Sequence, residues 1–150
     1  SNMPRVAAGT TNVPNDADIG IYSFGEKGNV FPKVQFEFDC TSLRDPTGQK
    51  QFAALNGAHD SVKSWVKADE RVATIIACCR LIANDLIKPK PRTASGATEV
   101  VQISKWLSFS FKDFHGKWSA PAMAELVADA LDLDGYKVTV VHYGLPSNKQ

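Results

Sequence analysis

Several residue classes that would mark a particular kind of protein are scarce in this sequence. It has only three cysteines, Cys40 and the adjacent pair Cys78 and Cys79, and this set forms neither a disulfide framework nor a CxxC metal pair. No apolar run approaches the roughly 18 residues of a membrane-spanning helix, and no signal peptide is visible. We therefore expect a cytoplasmic protein with no membrane association, whose cysteines are reduced and packed as small apolar residues.

An excess of either charge is also missing. The 150 residues include 17 lysines and arginines against 16 aspartates and glutamates, a net charge of +1, which gives no electrostatic case for general binding to nucleic acid or membranes. The length suits one hydrophobic core. We divide the chain into a flexible lead-in over 1–17, in which Ser1-Asn2 is interpreted as a tag scar, one α/β domain over 18–145, and a tail over 146–150.

Catalytic signatures are absent as well. The three histidines, His59, His115 and His142, lack a metal-ligand spacing, so no metal and no cofactor is predicted. Neither the phosphate-binding motif G-x-x-x-x-G-K-[ST] nor the nucleophile elbow G-x-S-x-G occurs. A Ser-His-Asp set can be assembled around Ser119, but the spacing does not select it, and we expect no enzymatic activity.

What the chain does contain is a strand–loop–helix unit between Trp106 and Leu131. The sequence W-L-S-F-S-F alternates as a strand, and A-M-A-E-L-V-A-D-A-L has the spacing of an amphipathic helix. Ser119 is suited to cap the helix, with Pro121 in its first turn. The backbone N–H groups at the start of such a helix can bind an anion. The loop over 112–119 is therefore the first candidate for a binding site.

The other elements follow from the same periodicities. Strands are predicted over 18–24, 33–39 and 136–143, the second of them near a sheet edge. Helices are predicted over 57–66, with Asp60 or Ser61 as its cap, and over 68–88, and an exposed, flexible linker over 89–98. A helix between strands requires a crossover and parallel neighbours. The fold class is therefore α/β, one small domain with a mixed or mostly parallel sheet, and ligands of such sheets bind beyond the carboxyl ends of the strands.

Motifs in matching order resemble the C-terminal domain family of the RNase adapter protein RapZ, over about residues 20–145. The family pattern has an S-F-G strand end followed by K and G, then F-D-x-R-x-L-x-N-P, then L-T-G-x-D-x-x-V, and finally H-R-x-L. The corresponding segments are Ser23-Phe24-Gly25 with Lys27 and Gly28, residues 38–46, residues 55–62, and residues 142–145.

The family's binding loop, G-C-x-G-G-x-H-R-S, corresponds to the loop over 112–119. Ser119 and Gly116 remain, whereas Lys117 and Trp118 stand where the family has His and Arg. Two further family arginines correspond to Thr41 and Tyr143. The resemblance implies a domain that binds an amino-sugar phosphate and a structured small RNA.

The resemblance and the loop together predict a non-catalytic binding domain that recognises a phosphorylated small molecule, such as a sugar phosphate or nucleotide, or a nucleic-acid phosphate. The predicted ligand-binding residues are His115, Gly116, Lys117, Trp118, Ser119, His142, Arg44 and Asp39. Several have a purely structural alternative: Ser119 as a helix cap, Trp118 packed on the sheet edge, His142 as a satisfied structural residue, and Arg44 as a plain surface charge. Lys27, in the loop after the first strand, could converge on the same site and has the same alternative as Arg44.

Two other functions stay open at this point. The chain could be a protein-interaction or regulatory module that kept the fold and lost the ligand, with Trp65, Trp106 and Trp118 as surface anchors. It could also be an RNA-binding adapter, which requires a basic face. By resemblance, a homodimer is compatible with the sequence.

Overall fold

The structure is a computed structural model that describes residues 17–146. Its elements along the chain are β1 (Ile19–Gly25), β2 (Phe36–Asp39), a short 3-10 helix (Lys50–Phe52), α1 (Asp60–Lys67), α2 (Glu70–Leu86), β3 (Lys90–Ala94), β4 (Ala97–Val101), β5 (Leu107–Asp113), α3 (Ser119–Leu133) and β6 (Val138–His142). Apart from residues 17 and 146, the predicted lead-in and tail lie outside the described residues.

Four strands form the main sheet in the order β2-β5-β1-β6, and all three pairings are parallel. Ile19 on β1 is level with Leu107 on β5 and Val138 on β6. The central strands are buried on both faces, as is usual for parallel strands covered by other elements. The predicted α/β class is confirmed. The edge position of β2 is confirmed too, although the strand begins at Phe36 rather than at residue 33.

Helix α3 connects β5 to β6 by crossing over β1. It packs against β1, β5 and β6 on one side and against α1 and α2 on the other. Because it lies between these two layers, every residue from Ser119 to Ala128 is buried. The sequence predicted the helix but assigned it a single apolar face. Its alanines and Met123 instead pack on all sides.

The cap of α1 differs from the prediction by one or two residues, and α2 has a cap that the sequence analysis did not assign. His59 caps α1, and its ring accepts a hydrogen bond from the Ser61 N–H, so neither Asp60 nor Ser61 is the cap. Asp69 caps α2 by accepting from the Arg71 N–H. Both capping side chains satisfy an N–H group that has no partner within the helix. The helices themselves occupy the segments in which the sequence placed them.

The segment expected to be a flexible linker is an antiparallel β-hairpin. Strands β3 and β4 pair with Lys90 opposite Val101 at one end and Ala94 opposite Ala97 at the other. The turn residues Ser95 and Gly96 both have positive φ. Two consecutive positive φ values are typical of tight hairpin turns, which favour glycine. Gln102 and Ser104 tie the end of the hairpin to the carbonyls of Ile87 and Leu86. Pro91 is tolerated because β3 is an edge strand.

The cysteine prediction holds for two of the three residues. All three are free thiols; Cys40 and Cys79 are buried, whereas Cys78 is exposed on α2 and does not contribute to packing. Burial raises the pKa of the Cys40 and Cys79 thiols well above the ordinary value. Within residues 17–146, none of the helices is long and apolar enough to cross a membrane.

Candidate functional site

The carboxylate of Asp113, at the end of β5, organises the candidate loop. One of its oxygens accepts a hydrogen bond from the Gly116 N–H, and the other accepts from Ala120 N–H at 2.9 Å and Trp118 N–H at 3.4 Å. The side chain is buried. Burial raises the pKa of Asp113, while the three N–H donors act in the opposite direction. Asp113 thus performs the capping role predicted for Ser119.

This arrangement corrects the expectation of an open anion site at the helix start. The N–H groups of Gly116, Trp118 and Ala120 already have an anionic partner within the chain. Trp118 is the capping residue by position, with no side-chain cap, and Ser119 is the first residue of α3 and is buried. An external anion therefore has to be held mainly by side chains of this loop.

Close backbone packing fixes the position of the loop. Gly116 has a φ of +72°, and a Cβ atom there would lie 2.6 Å from the Gly25 nitrogen and 3.0 Å from the Gly144 Cα. The carbonyl of Lys117 accepts a hydrogen bond from the Gly57 N–H at 2.8 Å. The loop after β5 therefore packs on the ends of β1 and β6 and on the segment before α1.

Three cationic or potentially cationic side chains surround the loop. His115 and Lys117 are exposed, and the Lys117 ammonium lies 4.8 Å from the Trp118 ring centroid. Lys27 approaches from the loop after β1: its backbone N–H donates to the Phe114 carbonyl at 3.0 Å, and its ammonium lies 6.0 Å from the Phe114 ring centroid. A lysine on a separate loop thus joins the predicted site.

The surroundings of His115 differ on its two sides. One side is a cleft that contains the carboxylates of Asp45 and Asp113. It brings together three of the predicted site residues, His115, Trp118 and Ser119, and is completed by Thr41, Thr47 and Phe114. On the other side, two crevices share Gly144: one includes Asn29 and His115, and the other, with a volume of about 460 Å³, includes Asn56 and Lys117. Among residues 17–146, no carboxylate lines either of these two crevices. An anionic ligand is therefore favoured on the Gly144 side and disfavoured in the acidic cleft.

His142 lies beneath the surface rather than on the rim of the site. Its Nδ1 is 2.6 Å from the Ser23 hydroxyl and its Nε2 is 2.6 Å from the Glu125 carboxylate. All three side chains are buried. Both ring nitrogens are therefore engaged inside the fold. The position of His142 suits support of the site better than contact with a ligand.

Arg44 and Asp39 also have partners away from the loop. The Arg44 guanidinium stacks on Trp65, 3.5 Å from the ring centroid, and the Arg44 N–H donates to Asp69. Asp39 accepts from the N–H and hydroxyl of Thr41, and these bonds lower the pKa of its carboxyl group. Asp39 thus orients the turn after β2, which carries Thr41 to the acidic cleft.

The exposed aromatic residues near the site are not the ones that the sequence suggested. Trp65 and Trp118 are half-buried against the core, and the Trp106 ring packs over Gly20. The side chains of Phe31 and Phe114, by contrast, are 60% and 52% exposed. The only sequence signal for them was their position in loops that follow strands. The three tryptophans that the sequence suggested as surface anchors are therefore partly buried rather than exposed.

Comparisons with known proteins agree with the motif resemblance. Residues 17–145 match the RapZ C-terminal domain family. A nucleotide-binding protein of Roseobacter denitrificans is 28% identical over 131 residues, which cover 87% of this chain and 41% of that protein. One of Cereibacter sphaeroides is 26% identical over 124 residues, which cover 83% of this chain and 38% of the relative. This chain thus spans about two fifths of these relatives, and it belongs to the RapZ C-terminal domain family.

Proposed function

We propose that this domain binds, without catalysis, the phosphate of a phosphorylated small molecule or of a nucleic acid beside the loop over 114–118. The observation that carries the proposal is the pair of exposed side chains His115 and Lys117, next to crevices that no carboxylate of the described residues lines. They lie at the carboxyl ends of parallel strands, where ligands of such sheets usually bind. Lys27 adds a third charge from the neighbouring loop.

The proposed mechanism is electrostatic and relies on a rigid loop. Asp113 and the packed glycines hold the backbone in place, so that little conformational entropy is lost when a ligand binds. The ammonium of Lys117 and the imidazole of His115 then form charge-assisted hydrogen bonds to phosphate oxygens. The relatives are named nucleotide-binding proteins, which is in keeping with a phosphate-bearing ligand, although this chain corresponds to only part of each.

One Ser-His-carboxylate arrangement occurs in residues 17–146, and its burial supports the proposal that the domain binds without catalysis. Ser23, His142 and Glu125 have hydrogen-bond distances that a nucleophilic enzyme would use. Ser23 is fully buried, however, and His142 and Glu125 are almost so. A substrate cannot reach the hydroxyl without opening the sheet. This set therefore serves the fold, and the proposed activity is binding.

Isothermal titration tests the proposal directly. Orthophosphate, an amino-sugar phosphate, other sugar phosphates and nucleotides are titrated into the protein, and at least one of them is expected to bind. Lys117→Ala is expected to weaken binding about tenfold, the effect of losing a hydrogen bond to a charged group. Arg92→Ala is the matched control, because Arg92 lies on the hairpin and pairs with Glu99. Equal effects of the two changes, or no binding of any phosphate, would contradict the proposal.

RNA binding as an adapter is a second candidate that the charges favour less. Several basic side chains are paired with carboxylates: Arg71 with Asp69, Arg80 with Asp134, Lys90 with Asp85, Arg92 with Glu99 and Lys112 with Glu26. Paired cations release fewer counterions from RNA, so affinity that falls steeply with salt is not expected. Measuring the affinity for a structured RNA at two salt concentrations separates the two candidates.

A further inference from the structure

We infer that the outer edge of strand β4 is a docking site for an extended strand of a partner protein. The partner adds a third strand to the hairpin of β3 and β4, through backbone hydrogen bonds to Thr98 and Val100. Its matching segment carries a lysine or arginine between two β-branched or aliphatic residues. This surface includes no residue of the loop over 112–119, so the inference does not depend on the proposed phosphate site.

The hairpin is a two-stranded sheet that stands apart from the main sheet. Within residues 17–146, β3 and β4 pair only with each other, and β4 is exposed from Ala97 to Val100. The base of the hairpin is fixed to α2, because the Ser104 N–H donates to the Leu86 carbonyl at 2.8 Å. A two-stranded hairpin by itself is only marginally stable in water, whereas three or more strands can form a stable sheet. Addition of a third strand therefore stabilises this element.

The register determines which backbone groups of the hairpin point outward. The turn has two residues, so Ala94 and Ala97 on either side of it form a hydrogen-bonded pair. Hydrogen-bonded pairs alternate with non-hydrogen-bonded pairs along an antiparallel ladder. Thr98 and Val100 consequently occupy non-hydrogen-bonded positions, and their N–H and C=O groups point away from β3. Each of these two residues presents a donor and an acceptor to an added strand.

The two edges of the hairpin are not equivalent. The outward positions of β3 are Pro91 and Thr93, which lie opposite Val100 and Thr98. Proline has no N–H to donate, and natural proteins use it on edge strands to prevent further pairing. The outward positions of β4 carry neither a proline nor a charged side chain. The edge of β3 is therefore protected against strand addition, whereas the edge of β4 is open.

The uncharged face of the hairpin specifies two side chains of the partner strand. Successive side chains point to opposite faces, so Thr98 and Val100 share one face with Thr93 and Pro91. The hydroxyls of the two threonines are 3.1 Å apart. Val100 is 74% exposed, and among the large apolar residues of the described chain only Leu133 is more exposed. β-Branched and aliphatic side chains pack well on such a surface, so we expect them opposite Thr98 and Val100.

The charged face specifies the residue between them. Glu99 lies opposite Arg92, and its carboxylate is 2.7 Å from the guanidinium. Glu99 is on the strand next to the open edge, whereas Arg92 is on the far strand. A lysine or arginine of the added strand that lies opposite Glu99 therefore gains a cross-strand ion pair, and an acidic residue there is repelled. The partner sequence of uncharged, basic and uncharged residues follows from these two faces.

Amide hydrogen exchange with a synthetic strand tests the docking site. The probe is the acetylated and amidated peptide Ser-Thr-Val-Lys-Val-Thr-Ser, added to the whole protein. The Thr98 and Val100 amides are expected to exchange rapidly in the free protein. At a peptide concentration of about ten times the Kd, their exchange should slow about tenfold, while the Thr93 amide on the protected edge stays fast. Replacing the lysine of the peptide by glutamate should weaken binding about threefold or more.

Matched variants on the two edges assign the effect to β4. Thr98→Pro removes an outward N–H from the open edge, and Thr93→Pro removes its counterpart from the protected edge. Both variants lose the same contact between hydroxyls, so their effects on the hairpin itself should be similar. Thr98→Pro is expected to weaken peptide binding about tenfold, because one backbone hydrogen bond is lost and its partner is left unpaired. Thr93→Pro should leave binding unchanged.

A charge reversal provides a second test that introduces no proline into a strand. Glu99→Lys removes only an exposed ion pair from the protein, and it is expected to reverse the preference from the lysine peptide to the glutamate peptide. This reversal depends on the side chain opposite the peptide, so it reports on the register of the added strand as well as on its presence.

Three results would overturn the inference. The first is that the Thr98 and Val100 amides gain no protection from the peptide while the amides bonded within the hairpin remain protected. The second is an equal loss of binding in the two proline variants together with no reversal in Glu99→Lys. The third is protection of the same amides without peptide that increases with protein concentration, accompanied by dimers in analytical ultracentrifugation, since a second copy of this chain would then occupy the edge.

Discussion

The Nε2 atom of His142 lies 2.6 Å from the carboxylate of Glu125, at a buried position that joins β6 to α3. The same imidazole reaches Ser23 on β1 through Nδ1. Immediately beyond it, the Tyr143 N–H donates to the Ser23 carbonyl at 2.9 Å, and Gly144 packs on Gly116. This buried group therefore supports, from inside the fold, the loop that we propose binds phosphate.

Replacing His142 is expected to destabilise the fold. His142→Ala removes two buried hydrogen bonds and leaves a cavity, so the free energy of unfolding should fall by about 1–3 kcal/mol. Urea denaturation followed by circular dichroism measures the change. His115→Ala is the matched control, because that histidine is exposed and its removal should alter stability by less than about 0.5 kcal/mol. Similar losses in the two variants would argue against a supporting role for His142.

Asp113 is expected to hold the candidate loop together. Asp113→Asn keeps the shape of the side chain but loses the charge and one acceptor oxygen, which should cost about 1.5–3 kcal/mol. Amide hydrogen exchange should speed up most at Gly116 and Ala120, whose N–H groups donate to this carboxylate. Asp39→Asn changes an exposed carboxylate in the neighbouring turn and should leave these two amides unaffected. Unchanged exchange at Gly116 and Ala120 in Asp113→Asn would contradict the assignment.

The cap of α2 should make stability depend on pH. Hydrogen bonds from the Arg71 side chain and backbone hold the pKa of Asp69 well below its ordinary value. A carboxyl group with a lowered folded-state pKa stabilises the fold above its unfolded pKa of about 3.9, and this contribution is lost as the pH falls toward the folded-state pKa.

Asp69→Ala should therefore cost about 1–2 kcal/mol at pH 7, as expected for a lost helix cap. The difference from the unmodified protein should shrink at pH 3, because the unmodified protein then loses part of the contribution. Urea denaturation at both pH values measures it. A difference that grows on acidification would contradict this account.

Alanine substitutions at two glycines distinguish the energetic cost of backbone strain from that of steric contact. Gly116 and Gly135 both have positive φ, but a Cβ atom at Gly135 would meet nothing within 4 Å, whereas one at Gly116 would lie 2.6 Å from the Gly25 nitrogen. Gly135→Ala should cost about 1 kcal/mol for the conformation alone. Gly116→Ala should cost a further 1–3 kcal/mol or so, because the backbone of β1 must move. Equal losses of unfolding free energy would show that the loop can shift freely.

Much of the architecture followed from periodicity alone. The alternation of Leu107, Phe109 and Phe111 predicted β5. The apolar face of α2 was predicted from the spacing of Val72, Ile75, Ile76, Cys79, Ile82, Ala83 and Leu86. Of these residues, Val72, Cys79 and Ala83 are buried and the other four are half-buried. These patterns are local, because each residue's face is set by the geometry of its own element. The hairpin of β3 and β4 was missed because Pro89 and Pro91 indicate a break, while the pairing of their neighbours depends on the Ser95-Gly96 turn.

The candidate loop over 112–119 shows which parts of the proposed site the sequence could not predict. Its position between β5 and α3 was predictable, as were the exposed His115 and Lys117. The role of Asp113 was not, because a carboxylate that precedes a loop can either face solvent or accept hydrogen bonds from the start of the helix, and the local sequence does not distinguish the two. The partners of His142 lie 119 and 17 residues away in the chain, and no local pattern records such distances.

The sequence by itself determined the α/β class, the family and the place of the strand–loop–helix unit, since these depend on periodicity and on the order of motifs. Only the tertiary structure decided how that unit is used. Parallel pairing brings the ends of β1, β5 and β6 together, so that Asp113 turns inward to satisfy the helix start while His115, Lys117 and Phe114 remain accessible. Which side chains are buried and which are exposed at this edge depends on contacts between distant segments of the chain.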